Sequence, residues 1–313
     1  MALLNVLTDV KVWVVLGIVL GLAVGFDNPN SGTILMIVLM IQMTLALDGL
    51  HYQKEDFVKY RKSVLISIFC CFVVNTSLTI ATGLLFIHDT ALWYGWIMLA
   101  AVPCAVSLIP GSLFMHGDTK MAVLSLVAIY MLSLALSPLI TKFLIGDAIE
   151  PLDILKYIIL FIIIPFILTV PLGKLHLPRA PKIIGINVMM FLLVAIGLGS
   201  RRDYIFSEPG VIMWLTLASI LRVFVFSIVV VYVLKKSGCR REHGVNYMVL
   251  AVWRNSSMAV SMCMVLLAAE YPEAVLPSVI SLVVEAAWFA FINSSIKRLW
   301  PEECPETQAV QAQ

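Results

Sequence analysis

Ten long apolar stretches dominate this sequence and constrain its fold more than any other feature. Each has 17 to 25 residues, which is the length an α-helix needs to cross the hydrocarbon core of a bilayer. The stretches cover residues 10–26, 31–47, 63–87, 91–115, 121–145, 154–172, 183–200, 211–234, 247–269 and 275–296. Hydrophobic residues occupy 61% of the 313 positions, too many for a soluble domain of this length to bury. We therefore predict an all-α polytopic membrane protein with ten transmembrane helices.

Basic residues are divided unequally between the two sets of predicted helix ends. Fifteen lie at one set: Lys11, Lys54, Lys59, Arg61, Lys62, Lys120, Lys174, Arg179, Lys182, Lys235, Lys236, Arg240, Arg241, Lys297 and Arg298. Four lie at the other: Lys142, Lys156, Arg201 and Arg202. Because cytoplasmic loops carry the excess of Lys and Arg, we predict an integral plasma (inner) membrane protein with both termini in the cytoplasm.

The ten predicted helices divide into two sets of five. An odd-numbered repeat places its second copy upside down in the membrane, and inverted repeats are typical of secondary transporters. We predict a first repeat in residues 1–150 and a second, inverted repeat in residues 151–300. Residues 301–313 are polar and mildly acidic, which predicts a disordered cytoplasmic tail.

The fourth and ninth stretches carry residues that are unusual inside a membrane helix. The fourth contains Pro103 and the pair Pro110-Gly111, and the ninth contains the cluster Arg-Asn-Ser-Ser at residues 254–257. Proline removes a helical hydrogen bond and glycine loosens the backbone, so we predict broken helices that cross near the middle of the membrane. Alternatively, the prolines produce simple kinks. A broken helix leaves free N–H and C=O groups that can bind ions and anionic substrates.

Only three of the forty permanently charged side chains lie deep inside the apolar stretches: Arg222, Arg254 and Glu285. Such charges are costly in a bilayer and usually face a partner or a water-filled path. The planar fork of Arg254 suits a carboxylate, although a permanent salt bridge to Glu285 is an alternative. Glu285 can carry a coupling proton or act as a structural counter-ion. Arg222 can flank the site or merely neutralise Glu285.

Polar and backbone-breaking residues of the third, fourth and ninth stretches complete the candidate site. The predicted substrate-binding residues are Asn75, Thr76, Pro103, Cys104, Ser107, Pro110, Gly111, Ser112, Arg254, Asn255, Ser256 and Ser257. Glu285 and Arg222 form the predicted coupling or charge-pair group. No histidine pair, aspartate dyad or Ser–Lys arrangement lies in the spans, so we expect no enzyme activity. The six cysteines lack metal-ligand or disulfide spacing, and we expect no metal site and no cofactor.

Three segments resemble the bile acid:sodium symporter superfamily. They are residues 42–48 (Gln-Met-Thr-Leu-Ala-Leu-Asp), the interval from Pro103 to Gly117-Asp118, and residues 254–259 (Arg-Asn-Ser-Ser-Met-Ala). The resemblance implies two inverted five-helix repeats whose broken fourth and ninth helices cross at the site. It also implies a core of helices 3–5 and 8–10 beside a panel of helices 1, 2, 6 and 7.

The residues that bind sodium in that superfamily are replaced in this chain. Leu108 and Ile109 stand where sodium-coupled members have Ser-Asn, Leu250 stands for a glutamate, and Arg254 stands for a glutamine. A guanidinium can take the electrostatic role of a bound cation. The family-type sodium sites are therefore not carried over.

Two other features resemble the arsenite-exporting permeases of the same superfamily. Those proteins carry Pro-Cys in the fourth helix, as at Pro103-Cys104, and a glutamate in the last helix, as at Glu285. The Cys104 thiol can bind a trivalent metalloid, and Glu285 can carry a counter-transported proton. The ninth stretch does not resemble that of the exporters.

These observations predict a secondary active transporter of a small organic anion that works by alternating access. Its coupling ion would be a proton carried by Glu285, as in symport, or alternatively sodium, and uncoupled transport is a further option. The expected partners are the anionic substrate and the lipid bilayer. The dispersed basic residues do not indicate nucleic-acid binding. The alternatives are a proton-coupled arsenite exporter that uses Cys104 and a membrane sensor that does not transport.

Overall fold

The computed structural model describes residues 6–48, 54–175 and 177–301. Within these ranges the chain is helical and contains no strand. The first half comprises α1 (Val10–Val24), α2 (Ser31–Leu47), α3 (Lys54–Ile68), α4 (Thr76–Gly83), α5 (Thr90–Ala101), α6 (Leu108–Phe114) and α7 (Thr119–Ile145). The second half comprises α8 (Pro151–Lys174), α9 (Arg179–Gly199), α10 (Arg202–Ser207), α11 (Pro209–Ile220), α12 (Phe226–Lys236), α13 (Arg241–Val252), α14 (Ser256–Leu266) and α15 (Leu276–Leu299). Apart from Pro301, the predicted tail lies outside the described residues.

Seven helical stretches of the described chain are long and apolar enough to cross a membrane. They are Val58–Phe86, Thr119–Ile145, Pro151–Lys174, Ala180–Gly199, Pro209–Lys236, Arg241–Leu266 and Pro272–Ile292. Three further apolar helices, α1, α2 and α5, are shorter. Large apolar side chains face outward, and Phe143 is 82% exposed, as suits a surface in contact with lipid. The structure is therefore that of a helical, membrane-embedded protein, whereas ten spans and an inverted repeat remain predictions.

The interruption predicted in the fourth stretch is present between α5 and α6. Val102 has an extended backbone, with φ −69° and ψ 151°, and α6 begins only at Leu108. Pro103 explains this position, because proline disfavours the helical conformation of the residue before it and lacks the N–H that would continue the helix.

The ninth stretch is also interrupted, although it contains no proline or glycine at that point. α13 ends at Val252, Trp253 is extended with φ −103° and ψ 121°, and α14 begins at Ser256. The side chain of Asn255 accepts a hydrogen bond from the Met258 N–H at 3.2 Å. Asparagine is a favoured residue at this capping position, since it satisfies a donor at the new helix start.

Two π-helical turns lie in the third and eighth predicted spans. Residues Phe69–Asn75 connect α3 to α4, and residues Leu221–Val225 connect α11 to α12. A π-helical turn inserts one extra residue into the helix and is frequent at functional sites. Asn75 and Arg222, both selected in the sequence analysis as candidate site residues, lie in these turns.

α1 and α2 pack against helices from the second half of the chain, chiefly α9 for α1, and α8, α9 and α14 for α2. Gly17 and Gly21 let α1 approach α9 closely, because a Cβ at these positions would lie 2.9 Å from the Phe191 carbonyl oxygen and 2.7 Å from that of Ala195. Ser261 of α14 donates a hydrogen bond to the Leu35 carbonyl of α2 at 3.3 Å. The grouping into a core and a panel stays a prediction.

Candidate functional site

The two interrupted segments meet inside the protein. The backbone N–H of Asn255 donates a hydrogen bond to the carbonyl oxygen of Pro103 at 2.9 Å. We call the contact between residues 102–107 and residues 253–255 the crossover. It joins parts of the chain that are about 150 residues apart in sequence, so long-range packing holds it in place.

The carbonyl groups at the end of α5 receive donors from two other helices, α4 and α7, and from the break between α13 and α14. Thr76 donates to the Ala100 carbonyl at 3.3 Å, and Ser137 donates to the Ala101 carbonyl at 2.6 Å. Arg254 donates from Nη1 to the Val102 carbonyl at 2.7 Å. A helix end that is buried needs such partners for its free carbonyl groups.

The carbonyl groups at the end of α13 likewise accept hydrogen bonds, here from side chains of the two π-helical turns. Asn75 donates from Nδ2 to the Leu250 carbonyl at 3.0 Å, and Arg222 donates from Nη1 to the Val252 carbonyl at 2.9 Å. Helix C-termini carry partial negative charge and favour cations. At both breaks a guanidinium supplies that positive charge, so the carbonyl groups are engaged by side chains of the chain itself.

Glu285 is paired with Arg222 in a fully buried ion pair. Arg222 Nη2 lies 2.6 Å from Glu285 Oε1, and the two side chains are 0% and 1% exposed. Ser256 donates to Glu285 Oε2 at 2.5 Å, and the Arg254 N–H donates to Oε1 at 3.3 Å. The partner of Glu285 is thus Arg222, and not the Arg254 guanidinium that the sequence analysis considered as an alternative.

Arg254 is completely buried but does not use all of its donors. Its Nη1 also lies 3.9 Å from the Cys71 sulfur, and its Nη2 donates to the Thr76 hydroxyl. Its Nε has no hydrogen-bond partner in the described part of the chain. An unsatisfied buried donor costs free energy, and a ligand with an acceptor group would remove that cost.

Cys104 is accompanied by a second thiol that the sequence analysis did not select. The Cys71 and Cys104 side chains lie close enough to interact with each other, and both are buried. Cys71 lies in the first π-helical turn, whose extra residue is not visible in the hydrophobic pattern. Among the described residues, no group of three or more His, Cys, Asp or Glu side chains could hold a metal ion.

Several predicted residues make no hydrogen bond to the charged side chains of the crossover among the described residues. Ser107 precedes α6 without a capping hydrogen bond, and Pro110 and Gly111 lie within α6. The Ser112 hydroxyl is buried without a partner among the described residues. Ser257 lies in the first turn of α14.

The crossover is closed in this conformation, and two cavities lie away from it. One, of about 580 Å³, is lined by Leu113, His116, Gly117, Asp118 and Glu242. The other, of about 440 Å³, lies where the ends of α1 and α9 meet the segment before α15. Neither is lined by Arg222, Arg254 or Glu285, so solvent does not reach these charges through them.

Asp118 lines the first of these cavities and contacts residues near the start of α13. His243 lies 3.5 Å from the Asp118 carboxylate, and Asn246 donates to the Asp118 carbonyl at 2.7 Å. Partial burial acts to raise the pKa of Asp118, but hydrogen bonds from His243, the Met121 N–H and Tyr60 outweigh it and lower the pKa to about 2. Asp118 is therefore a stable carboxylate that links α7 to α13.

A scan against protein-family models gives no match for this chain. A search of the curated proteins also finds no match. The functional argument consequently depends on the residues and contacts described above.

Proposed function

We propose that the chain is a secondary transporter that moves a small organic anion across the membrane by alternating access. The observation that carries this proposal is the crossover, where two interrupted helices meet and Arg222, Arg254 and Glu285 are buried together. Charges at this depth are rare in membrane proteins and mark substrate or ion pathways. Interrupted helices near mid-membrane are the usual substrate sites of secondary transporters.

The proposal includes ten transmembrane helices in two inverted repeats. The shorter helices α1 and α2 would then cross the bilayer, and α5 with α6 would form one broken span. The paired irregularities support this arrangement: π-helical turns occur in the third and eighth spans, and breaks occur in the fourth and ninth. Helices 3–5 and 8–10 would form the moving core, with cytoplasmic termini in the plasma membrane.

In this mechanism Arg254 and Arg222 replace the bound sodium ions of the resembled superfamily. Their guanidinium groups already hold the Val102 and Val252 carbonyls, the kind of group that coordinates sodium in broken transporter helices. A substrate carboxylate would use the free Arg254 Nε and would place a second negative charge near Glu285. Glu285 would then take up a proton, because a like charge nearby favours the neutral form of a buried carboxylate.

Uptake by reconstituted vesicles tests this proposal. We expect Arg254→Gln to abolish uptake of a transported carboxylate, whereas Arg240→Gln, at an exposed arginine that pairs with Glu242, should transport normally. Uptake should follow an imposed proton gradient and ignore a sodium gradient. The proposal is wrong if no carboxylate from a broad panel is accumulated by the folded wild type, or if Arg254→Gln accumulates it equally well.

The contact between Cys71 and Cys104 favours a second candidate, the export of a trivalent metalloid. Two adjacent thiols are better ligands for a soft, thiophilic ion than one. We expect Cys71→Ala and Cys104→Ala each to remove arsenite tolerance from a sensitive host, while Cys263→Ala, at another buried thiol, retains it. Full tolerance in both single variants would eliminate this candidate.

A further inference from the structure

The second cavity, of about 440 Å³, contains two adjacent arginines at the end of α9. We call it the arginine cavity; its polar lining includes Asp27, Arg201, Arg202, Tyr204 and Glu273. It lies at the helix ends that carry few basic residues, which the sequence analysis assigned to the outside. It joins the ends of α1 and α9 to the turn Pro272–Val275 that precedes α15.

The two arginines differ in the contacts that their side chains make. Arg202 Nε donates to the Leu22 carbonyl at 2.7 Å, and its guanidinium lies 5.6 Å from the Phe206 ring centroid. The Arg201 guanidinium, by contrast, makes no hydrogen bond or close ion pair within the part of the chain that the structure describes, and its Nε is buried without a partner there. Arg202 has a structural role, while Arg201 presents unused donors.

Arg201 remains a cation although part of it is buried. Burial lowers the pKa of its guanidinium, and the nearby charges of Glu273 and Asp27 act in the opposite direction. Arginine starts from a pKa far above neutrality, so the group stays protonated at physiological pH. A partly desolvated cation with an orphaned N–H binds an anionic acceptor more strongly than a solvated one does.

The wall of the cavity is held by backbone contacts. The Phe26 N–H donates to the Gly199 carbonyl at 3.1 Å, and Gly25 has a positive φ of 76°, which glycine adopts without strain. A Cβ on Gly199 would lie 3.0 Å from the Phe26 nitrogen. The segment that faces Arg201 is thus pre-formed, which lowers the entropic cost of binding.

The charges around the cavity limit the kind of anion it can accept. Asp27, Asp203 and Glu273 contribute three carboxylates against the two arginines. A ligand with a second negative charge would meet repulsion from these groups. A ligand with one carboxylate and a neutral remainder would meet less repulsion, because its single charge can lie against Arg201.

We propose that the arginine cavity is a binding site for a small monocarboxylate, held by Arg201 through its free guanidinium donors. The inference rests on the proposed function, because the bound acid would be the transported anion on its way to the crossover. The cavity and the crossover are separate sites in this closed conformation, so each has its own determinant, Arg201 in one and Arg254 in the other.

Protection of an introduced thiol tests the site directly. Ser200 lines the cavity, and Ser200→Cys preserves its size and all nearby charges. In vesicles that expose this face, a membrane-impermeant maleimide should label the variant, and butyrate should slow the labelling. We expect Arg201→Gln to weaken that protection about tenfold in butyrate concentration, as the loss of a charged hydrogen-bonding partner does. Arg201→Lys should restore part of it, and Arg240→Gln should leave it unchanged.

Succinate provides the matched control for ligand charge, because it has the same carbon-chain length and a second carboxylate. Equal protection by succinate, or protection by butyrate that survives Arg201→Gln, would overturn the inference. If Arg254-dependent uptake occurs without butyrate protection, the cavity proposal fails while the transport proposal stands. If butyrate protects but no acid is transported, the site stands and the transport proposal fails.

Discussion

The buried pair of Arg222 and Glu285 leads to a prediction that can be worked out in free energy. Arg222→Met removes the guanidinium that neutralises Glu285 at 2.6 Å and that donates to the Val252 carbonyl. Breaking a buried ion pair by removing one partner costs about 3–5 kcal/mol, because the other charge is left uncompensated. The orphaned carbonyl adds about 1–3 kcal/mol.

Glu285→Gln should cost about 3–5 kcal/mol for the same reason, since it leaves Arg222 buried without its counter-charge. The double variant carries neither charge, so it should be destabilised by less than the sum of the two single changes. We expect a coupling energy of about 2–3 kcal/mol, toward the upper end for residues in direct contact.

Equilibrium unfolding of the four proteins in mixed detergent micelles measures these free energies. An Arg240→Gln and Glu242→Gln cycle is a matched control, because that pair is exposed, with side chains 71% and 47% accessible, and exposed pairs contribute little. A coupling energy for Arg222 and Glu285 no larger than that of the control would refute the reasoning. It would mean that the buried contact is not a tight charge pair in the folded protein.

Two further predictions concern stability away from the crossover. The pKa of Asp118 is depressed to about 2, so its contribution to the stability of the fold is present above the ordinary pKa near 4 and is lost as the pH falls toward 2. The apparent melting temperature of wild type should therefore fall more steeply between pH 5 and pH 2.5 than that of Asp118→Asn. Parallel curves would contradict the role of the His243 contact. Gly95→Ala should cost about 1–3 kcal/mol by overpacking, because its Cβ would lie 2.2 Å from the Ala274 carbonyl oxygen. Gly210→Ala, which meets nothing within 4 Å, should be neutral in the same thermal assay, and an equal loss in both variants would exclude a packing effect at Gly95.

The break near Pro103 was predictable, whereas the break at Trp253 was located only by its polar residues. Proline restricts the backbone conformation of the residue before it, so the extended conformation of Val102 can be inferred from the two adjacent residues Val102 and Pro103. The extended backbone at Trp253 has no such local cause. It is stabilised by Asn255, by Arg222 and by the Pro103 carbonyl, which come from different parts of the chain.

The side-chain partners at the site were not predictable from sequence. The apolar pattern places Arg222 and Glu285 at similar depths, but it does not show how far each helix is rotated about its axis. The π-helical turns shift that rotation for Arg222 and for Cys71. For this reason the pair Arg222–Glu285 and the contact between Cys71 and Cys104 became visible only in three dimensions.

The sequence by itself determined that this chain is a helical membrane protein, where its apolar stretches lie, and that Arg222, Arg254 and Glu285 must be buried together or face a polar path. These properties follow from the hydrophobicity and length of each segment, which act locally. Only the tertiary structure decided which carbonyl group Arg222 and Arg254 each hold, which arginine neutralises Glu285, and that the Arg201 guanidinium has no hydrogen-bond partner among the described residues. Those outcomes depend on packing between segments that are distant in sequence, because shifting a helix by one residue turns its side chains toward different neighbours.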